Sequence, residues 1–491
     1  MRAPAQHRES PVRRRDWQRG TVVLVFALVL VAGVGLRIWH LGISPAWQWD
    51  EAIYYRVGVS VQHGVLQEHP VYGAVWTPFL YQPPIYFVVL ARWFAFVGAS
   101  VYHARLLGAI ATAFMLVLLF RLIYRMHGPR TALFTMIPVV FDGWLMYIER
   151  ASYIENVLMV LIVGALLLYQ RALDRPTWLN FLIAGIVIGC AASFKQTGVY
   201  VLAAVLLCWL IKRRSHRGHL VMLAAALAVI AIYAFAMVRM YDVPAHQWYL
   251  DQSLVQVRRV LGLKQSGGTL TSPTKLLHLL VAQYKYFIPS FLIALAALLV
   301  ALRRLIQCYR ARNWLPARDN ALLFSWFAAG VVIFGVSSLK FPQYFALILI
   351  PGYCYFWTEL QSWNWSDALR TAAPVAGGLA GVASLLLVLP AFQANTLQNV
   401  QQYAASKIPR TAIVVTEESI GDLIQQRWCT VEAPGACLRK ATYAITWQTY
   451  LQSSFTLGGP TFGQLMQGAV QVKTFAGSVG TATIWKLKEP S

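Results

Sequence analysis

The side chains best suited to do chemistry in this sequence are ionisable residues at the edges of long apolar runs. Such groups are costly near the hydrocarbon core of a bilayer, so they usually face a cavity or one another. A carboxylate here could accept the proton of an attacking hydroxyl, and cations could offset charge that develops on a departing phosphate. The pattern therefore suits transfer of a group from a phosphate. The set comprises Asp50, Glu51, Arg150, Glu155, Lys195 and Lys340.

Simpler roles for the same residues stay open at this point. Asp50 and Glu51 could cap a helix and supply acids to its first turn. Lys195 and Lys340 could extend from helix ends to the lipid headgroups, and Arg150 could do the same. The sequence alone does not decide between these roles and a shared site.

Metal binding is a further alternative for the first polar loop. His63, Glu68 and His69 could furnish ligands, but their spacing matches no recognised metal motif, which favours solvated loop residues. Glu51 or Glu155 could also help to hold a divalent metal ion. We therefore predict no certain cofactor and leave a divalent ion open.

The composition predicts that a membrane must position these residues. The chain is 58% hydrophobic and 12% charged, whereas soluble globular proteins have roughly 25% charged residues. Several apolar runs reach about 18 residues or more, the length that crosses a hydrocarbon core about 30 Å thick. The plainest runs are 21–39, 220–240, 286–302, 321–339 and 371–392.

The formal net charge of +23 does not indicate nucleic acid as a partner. Nucleic-acid binding would require a basic face on a soluble domain, with aromatic residues between the charges. Here the basic residues form short clusters between apolar runs, as the positive-inside rule predicts for cytoplasmic loops. Such clusters occur at 13–19, 121–130 and 212–217.

These patterns predict an α-helical polytopic membrane protein with a small C-terminal α/β domain. We place residues 1–20 in the cytoplasm and about eleven transmembrane helices in 21–392 of a plasma or inner membrane. Residues 41–102 then form the first extracytoplasmic loop, in which 85–97 is an interfacial or re-entrant helix. Residues 393–491 contain strand-like runs and Gly-rich turns, which predict an extracytoplasmic α/β domain. Both the C-terminus and the candidate site are expected outside the cytoplasm.

Two cysteines of this C-terminal region are a candidate disulfide. Cys429 and Cys437 are separated by eight positions. An oxidising extracytoplasmic compartment would allow them to pair.

Short motifs follow one another in a characteristic order over about residues 20–360. They are W-D-E-A-I-Y-Y with Asp50 and Glu51, P-P-I-Y ending at Tyr86, E-R-A-S-Y-I-E-N with Arg150 and Glu155, A-S-F-K-Q-T-G with Lys195, and S-L-K-F-P-Q-Y with Lys340 and Tyr344. In their order and spacing the chain resembles family 39 of the glycosyltransferase C-type (GT-C) superfamily. That family and its relatives include protein O-mannosyltransferases and the bacterial lipid A aminoarabinose transferase.

The resemblance implies a GT-C-like fold and an inverting glycosyltransferase. The donor would be a polyprenyl-phosphate-linked sugar, and the acceptor an extracytoplasmic lipid, glycan or protein. Asp50 would be the base, with Glu51 beside it in the catalytic group. Lys195, Lys340 and Arg150 would bind the donor phosphate. Supporting roles would fall to Glu155, Tyr344 and Tyr86.

Two positions depart from the pattern of the relatives. Gln82 stands where relatives often have lysine, so one phosphate-binding cation is either missing or replaced by Lys340 or Arg150. Glu155 stands where many relatives have aspartate, which keeps the charge and extends its reach.

Two functions from other classes compete with this one. A transporter or lipid flippase usually places charges near the membrane midplane and often shows a repeat between its halves. Here the charges fall on one side and no repeat is evident. A non-enzymatic assembly partner in envelope biogenesis is the other alternative. Membrane lipids are expected partners in every case.

Overall fold

In a computed structural model the chain forms a bundle of helices followed by a small sheet domain. The structure describes residues 19–45, 49–64, 67–68, 77–78, 83–212, 216–240, 288–312, 320–336, 342–363, 367–392, 396–421, 423–429, 435–449, 460–477 and 480–488.

The first group of helices carries most of the predicted site residues. These helices are α1 (Arg19–Ile38), α2 (Trp49–Gln62), α3 (Ile85–Val97), α4 (Val101–His127), α5 (Pro129–Phe141), α6 (Gly143–Glu149), α7 (Ile154–Asp174), α8 (Trp178–Phe194), α9 (Tyr200–Lys212) and α10 (His216–Met240). A 3-10 turn, Gln196–Val199, joins α8 to α9. Between α2 and α3 the two-residue strands β1 (Gln67–Glu68) and β2 (Thr77–Pro78) pair antiparallel.

The second group of helices completes the bundle and leads into the sheet domain. It comprises α11 (Ile288–Arg310), α12 (Ala321–Val336), α13 (Ala346–Ser362), α14 (Asp367–Phe392) and α15 (Thr396–Lys407). A 3-10 turn, Pro342–Phe345, precedes α13.

Among the described residues, five helices are long and apolar enough to cross a membrane. They lie in α1, α4, α7, α10 and α11, and the bent pair of α5 and α6 makes a sixth if it counts as one span. Shorter apolar helices include α3, which has 13 residues. The membrane-embedded helical body is thus confirmed, whereas the count of about eleven spans and the interfacial position of α3 stay predictions.

One face of α1 shows how the bundle meets lipid. Leu24, Leu28 and Val31 are exposed by 61%, 63% and 70%, and they share one face because they are spaced by three and four residues. Exposed apolar side chains are costly in water but not in hydrocarbon, where the helical backbone satisfies its own polar groups. This face is therefore a lipid-facing surface.

The break between α5 and α6 is built around a buried carboxylate. Asp142 accepts a hydrogen bond from the Leu145 backbone N–H at 2.7 Å and so caps α6. The same side chain accepts hydrogen bonds from Ser290 of α11 at 2.6 Å and from Tyr353 of α13. The two helices bend by 66° at this point. Asp142 thus ties the break to two helices that come much later in the chain.

Close backbone packing beside Asp142 explains the glycine that begins α6. A Cβ atom at Gly143 would lie 2.2 Å from the carbonyl oxygen of Ser384 in α14. The Gly143 N–H also donates to the Ser384 hydroxyl at 2.9 Å. Only glycine allows this close approach of α6 to α14.

The C-terminal region forms the predicted α/β domain. Its five strands are β3 (Ile413–Thr416), β4 (Arg427–Cys429), β5 (Tyr443–Thr449), β6 (Val470–Gly477) and β7 (Gly480–Lys486). They have the order β4-β3-β5-β7-β6 in the sheet. Strand β3 is parallel to β4 and β5, whereas β7 is antiparallel to β5 and β6. Cys429 and Cys437 form a disulfide within this domain.

The sheet domain contacts the helix that carries Asp50. The guanidinium of Arg56, in α2, lies 5.5 Å from the centroid of the Trp428 ring in β4. Arg56 is 8% exposed, so the ring helps to cover a buried cation. The domain boundary near residue 393 and the extracytoplasmic position of the domain stay predictions.

Candidate active site

The first turn of α2 contains two carboxylates with different surroundings. Glu51 is fully buried and accepts two hydrogen bonds from Arg105 of α4, at 3.0 and 2.9 Å. It also accepts one from the backbone N–H of Ser152 at 2.6 Å. Both Glu51 oxygens are therefore engaged, which fixes the start of α2 against α4 and the segment before α7.

Asp50 is only partly buried and has a neutral partner. The side-chain amide of Gln343, from the 3-10 turn before α13, donates to Asp50 Oδ2 at 2.7 Å. Gln343 is 293 positions away in the sequence. The neighbouring acid Glu51 thus takes a buried arginine as its partner, whereas Asp50 accepts an amide hydrogen bond.

Lys195 and Glu155 form a buried ion pair next to Asp50. Lys195 Nζ lies 2.5 Å from Glu155 Oε1, and the two side chains are 2% and 1% exposed. Lys195 follows the last residue of α8, and Glu155 lies in the first turn of α7. The ammonium also lies 5.1 Å from the centroid of the Tyr344 ring. Among the described residues, Glu155 Oε2 has no hydrogen-bond partner.

The charges around Asp50 tune its acidity. Burial raises the pKa of Asp50 from 3.8 to about 6, and the nearby carboxylates of Glu155 and Glu51 act in the same direction. The Lys195 ammonium and the hydrogen bond from Gln343 oppose this rise. Asp50 belongs to α2, which is not among the candidate spans. A carboxylate with this pKa is ionised at neutral pH and is still a useful general base.

Tyr86 closes one side of the cluster. Its hydroxyl lies 3.1 Å from the hydroxyl of Ser152, the residue whose backbone N–H donates to Glu51. The ring contacts Tyr54 and Phe194 in edge-to-face arrangements, with centroids 5.9 and 6.2 Å apart. Tyr86 therefore supports the site through packing and through the Ser152 segment.

Arg150 lies in a different environment from the one expected of a phosphate ligand. Its guanidinium donates to backbone carbonyls in the last turn of α1 and just after it, and it lies over the Phe392 ring, 4.3 Å from the centroid. The acceptors are the carbonyl oxygens of Leu36, Arg37, Trp39 and Ser44. Because Arg150 is fully buried against main chain, these contacts favour a structural role over phosphate binding.

Several predicted site residues cannot be placed in this way. Lys340 and Gln82 lie outside the described residues, as do His69 and the side chain of Glu68. His63 is exposed at the end of α2. Within the part of the chain that the structure describes, no group of three or more His, Cys, Asp or Glu side chains is placed to hold a metal ion.

Three residues that contact Asp50 or Glu51 were not predicted. Arg105 lies just beyond the predicted loop 41–102, at the start of an apolar run, so its charge was a signal of the same kind as that of Lys195. Gln343 belongs to the motif S-L-K-F-P-Q-Y, but an uncharged amide attracts less notice. Ser152 acts mainly through its backbone N–H, which leaves no signal in the sequence.

An apolar groove of about 700 Å³ adjoins the cluster. Its lining includes Ile85, Phe114, Val157 and Phe194, from α3, α4, α7 and α8. Ile85 directly precedes Tyr86 and Phe194 directly precedes Lys195. Two residues of the lining are thus direct chain neighbours of Tyr86 and Lys195.

Part of the chain matches a known protein family. Residues 81–238 match the family model of dolichyl-phosphate-mannose-protein mannosyltransferases. Comparison with curated protein sequences finds no match.

Solved structures share the fold over nearly the whole chain. ArnT from Cupriavidus metallidurans, solved with undecaprenyl phosphate, superposes with a TM-score of 0.63 at 12% identity, covering 95% of this chain and 98% of ArnT. An oligosaccharyltransferase from Archaeoglobus fulgidus, solved with zinc and sulfate, gives a TM-score of 0.57 at 12% identity, covering 86% and 67%. The chain thus has the fold of ArnT and, over residues 81–238, matches the mannosyltransferase family model, so it resembles the membrane glycosyltransferases of the GT-C superfamily.

Proposed function

We propose that this enzyme transfers a sugar from a polyprenyl phosphate to the hydroxyl of an extracytoplasmic acceptor. One observation carries the proposal: Asp50, Glu155 and Lys195, from α2, α7 and the end of α8, meet in one cluster. A base and a cation held close together are what transfer from a phosphate requires. The site would open on the outer face of a plasma or inner membrane, with the N-terminus in the cytoplasm.

Asp50 acts as the general base in this mechanism. The acceptor oxygen attacks the anomeric carbon while its proton passes to the Asp50 carboxylate. The bond between the anomeric carbon and the phosphate oxygen breaks, and the phosphate leaves with the electron pair. A single displacement of this kind inverts the anomeric configuration.

Lys195 stabilises the departing phosphate. The Glu155 contact occupies one of the three N–H groups of the ammonium, so a phosphate oxygen can take another. Glu155 keeps the cation charged in a buried position, and the Tyr344 ring lies against it. Lys340 would supply a second cation if it turns toward the same site.

The apolar groove binds the polyprenyl tail. Its lining is almost wholly apolar and includes Phe194, the residue that directly precedes Lys195. ArnT was solved with undecaprenyl phosphate, a lipid of this class. A tail in the groove would bring its phosphate to the Lys195 ammonium, with the acceptor approaching from the side of Asp50.

Glu51 and Arg150 have positioning roles in this proposal. Glu51 is saturated by Arg105 and Ser152, so it orients the first turn of α2 rather than transferring a proton. Arg150 holds the carbonyls that follow α1 and so fixes the chain leading to α2.

Transfer of radiolabelled sugar in proteoliposomes tests the proposal. The purified protein is supplied with polyprenyl-phosphate mannose or arabinose and with a hydroxyl acceptor. Asp50→Asn should reduce transfer by at least about 100-fold, because a general base contributes roughly 10²–10⁴ to the rate. Binding of the donor lipid should persist. His63→Asn, an exposed change directly after the same helix, is the matched control and should keep activity.

The outcomes separate the rival functions. Turnover that Asp50→Asn leaves intact would remove Asp50 from the role of base. Movement of the lipid across the bilayer without transfer would instead favour a flippase.

A further inference from the structure

A second pocket lies at the opposite ends of the helices that carry the site. It has a volume of about 350 Å³ and lies between the last turns of α4 and α7. Its lining consists of four arginines and two leucines. These are Arg121, Arg125, Leu167, Leu168, Arg171 and Arg175. We call it the arginine pocket.

The ends of two helices bring these arginines together. Arg121 and Arg125 are four positions apart on α4, so they share one face of that helix. Arg171 lies in the last turn of α7, and Arg175 directly follows that helix. All four side chains line the same pocket.

Asp174 lies beside the pocket, and its single negative charge does not offset the four positive charges of the arginines. Asp174 accepts a hydrogen bond from Arg125 Nε at 2.5 Å, and its other oxygen accepts one from Gln170 at 2.8 Å. Within the part of the chain that the structure describes, Asp174 pairs with Arg125 alone. The other arginines of the pocket form no ion pair among the described residues.

The position of the pocket places it at the other surface of the membrane. Glu155 lies in the first turn of α7, at the candidate site. Arg171 lies sixteen residues later, which is about 24 Å along a helix axis. That distance is most of the thickness of a hydrocarbon core. The arginine pocket is thus separate from the cluster of Asp50 and Lys195, and this inference does not depend on the proposed function.

The lining identifies the class of ligand. Arginine guanidinium groups bind phosphate through paired N–H donors. The half-buried side chains of Leu167 and Leu168 supply an apolar wall beside these arginines. A soluble phosphate would use the arginines but would have no use for that wall, and basic pockets between transmembrane helices are suited to anionic headgroups.

We propose that the arginine pocket binds the phosphate headgroup of an anionic phospholipid. The headgroup phosphodiester would contact the arginines of both helices, and an acyl chain would lie along Leu167 and Leu168. Such a lipid would tie the end of α4 to the end of α7 and so support the helices that present Arg105 and Glu155 at the other surface.

Lipid binding to the delipidated full-length protein tests this proposal. Native mass spectrometry and thermal unfolding in detergent would compare phosphatidylglycerol with phosphatidylcholine. The test variant is Arg121→Gln with Arg171→Gln. The matched control is Arg310→Gln with Arg312→Gln, which removes the same charge from exposed positions at the end of α11.

Phosphatidylglycerol should bind and raise the unfolding temperature, and the test variant should weaken that binding by about tenfold or more, given the contribution of each arginine near an anionic headgroup. The control should bind like the unmodified protein. Equal losses in both variants would reduce the effect to general surface charge and overturn the proposal.

Two further arms remove ambiguities. Inorganic phosphate or glycerol phosphate that stabilised the protein as well as the lipid would overturn a lipid site in favour of a soluble ligand. The Lys195→Gln variant should keep the phosphatidylglycerol effect, because its phosphate site lies elsewhere. If Lys195→Gln abolished that effect, the lipid would be bound at the donor site and not in the arginine pocket.

Discussion

Glu51 binds Arg105 through both carboxylate oxygens, at 3.0 and 2.9 Å, although 54 positions separate the two residues. Removal of one partner from a buried pair leaves an uncompensated charge and costs about 3–5 kcal/mol. We expect Arg105→Gln to lower the free energy of unfolding by that order, measured by thermal or denaturant unfolding in detergent. The double variant with Glu51→Gln should be less destabilised than the sum of the single changes.

The same pair predicts how Glu51 acts in catalysis. Glu51→Gln should lower kcat and keep an acid limb, because Glu51 positions Asp50 but does not accept the proton; that limb should move to slightly lower pH, because the Glu51 charge helps to raise the pKa of Asp50. Kinetics across pH would measure both quantities. Loss of the acid limb of the pH profile in Glu51→Gln would instead assign the base role to Glu51.

The acidity of Asp50 predicts the pH dependence of transfer. Its pKa is raised to about 6, so kcat/KM should fall as the pH decreases through about 6 and the base becomes protonated. A raised carboxyl pKa favours folding at low pH, and that contribution is lost as the pH rises through about 6. The acid loss of activity should therefore occur without a loss of stability arising from Asp50, which thermal unfolding at each pH would check.

Gln343 also affects the pKa of Asp50. Its hydrogen bond to Asp50 lowers the pKa of the carboxyl and opposes the effect of burial. Gln343→Leu should therefore move the acid limb of the transfer profile to higher pH. An acid limb that stayed in place or moved to lower pH would contradict the contact.

Lys195 and Glu155 should respond as a unit. Lys195→Gln should raise the KM for the donor lipid and leave Glu155 buried without its cation, so the protein should also become less stable. The double variant Lys195→Gln with Glu155→Gln removes both charges and should recover stability but not transfer. Recovery of transfer in the double variant would exclude Lys195 as a phosphate ligand.

The apolar groove can be filled without touching the cluster. Ile110→Trp should weaken use of a long-chain polyprenyl donor by raising its KM, because the larger ring would occupy the space of the tail. A donor with a shortened prenyl chain should be affected less. Leu24→Trp, on the lipid-facing side of α1, is the matched control. Equal effects on long and short donors would locate the tail elsewhere.

The sequence allowed a good part of this site to be predicted, for a physical reason. Asp50, Glu155 and Lys195 stand out because charge near hydrocarbon is costly and must be compensated. The same cost explains the membrane body and the separate polar domain. The argument needs only residue types and their places along the chain.

The orientation of a side chain and the group that it contacts could not be predicted in the same way. Arg150 satisfies the same cost by turning to backbone carbonyls, and nothing in its neighbours along the chain distinguishes that choice from phosphate binding. The contact of Gln343 with Asp50 depends on how a turn 293 positions away is packed. Such contacts are set by tertiary structure and leave no local pattern.

The ring of Trp428 over the guanidinium of Arg56 places a constraint on how this enzyme can diversify. A C-terminal domain exchanged for that of a relative would have to cover the same cation on α2. An aromatic side chain at the matching position would keep that helix in place. A chimaera without one would hold α2 less firmly and, with it, Asp50.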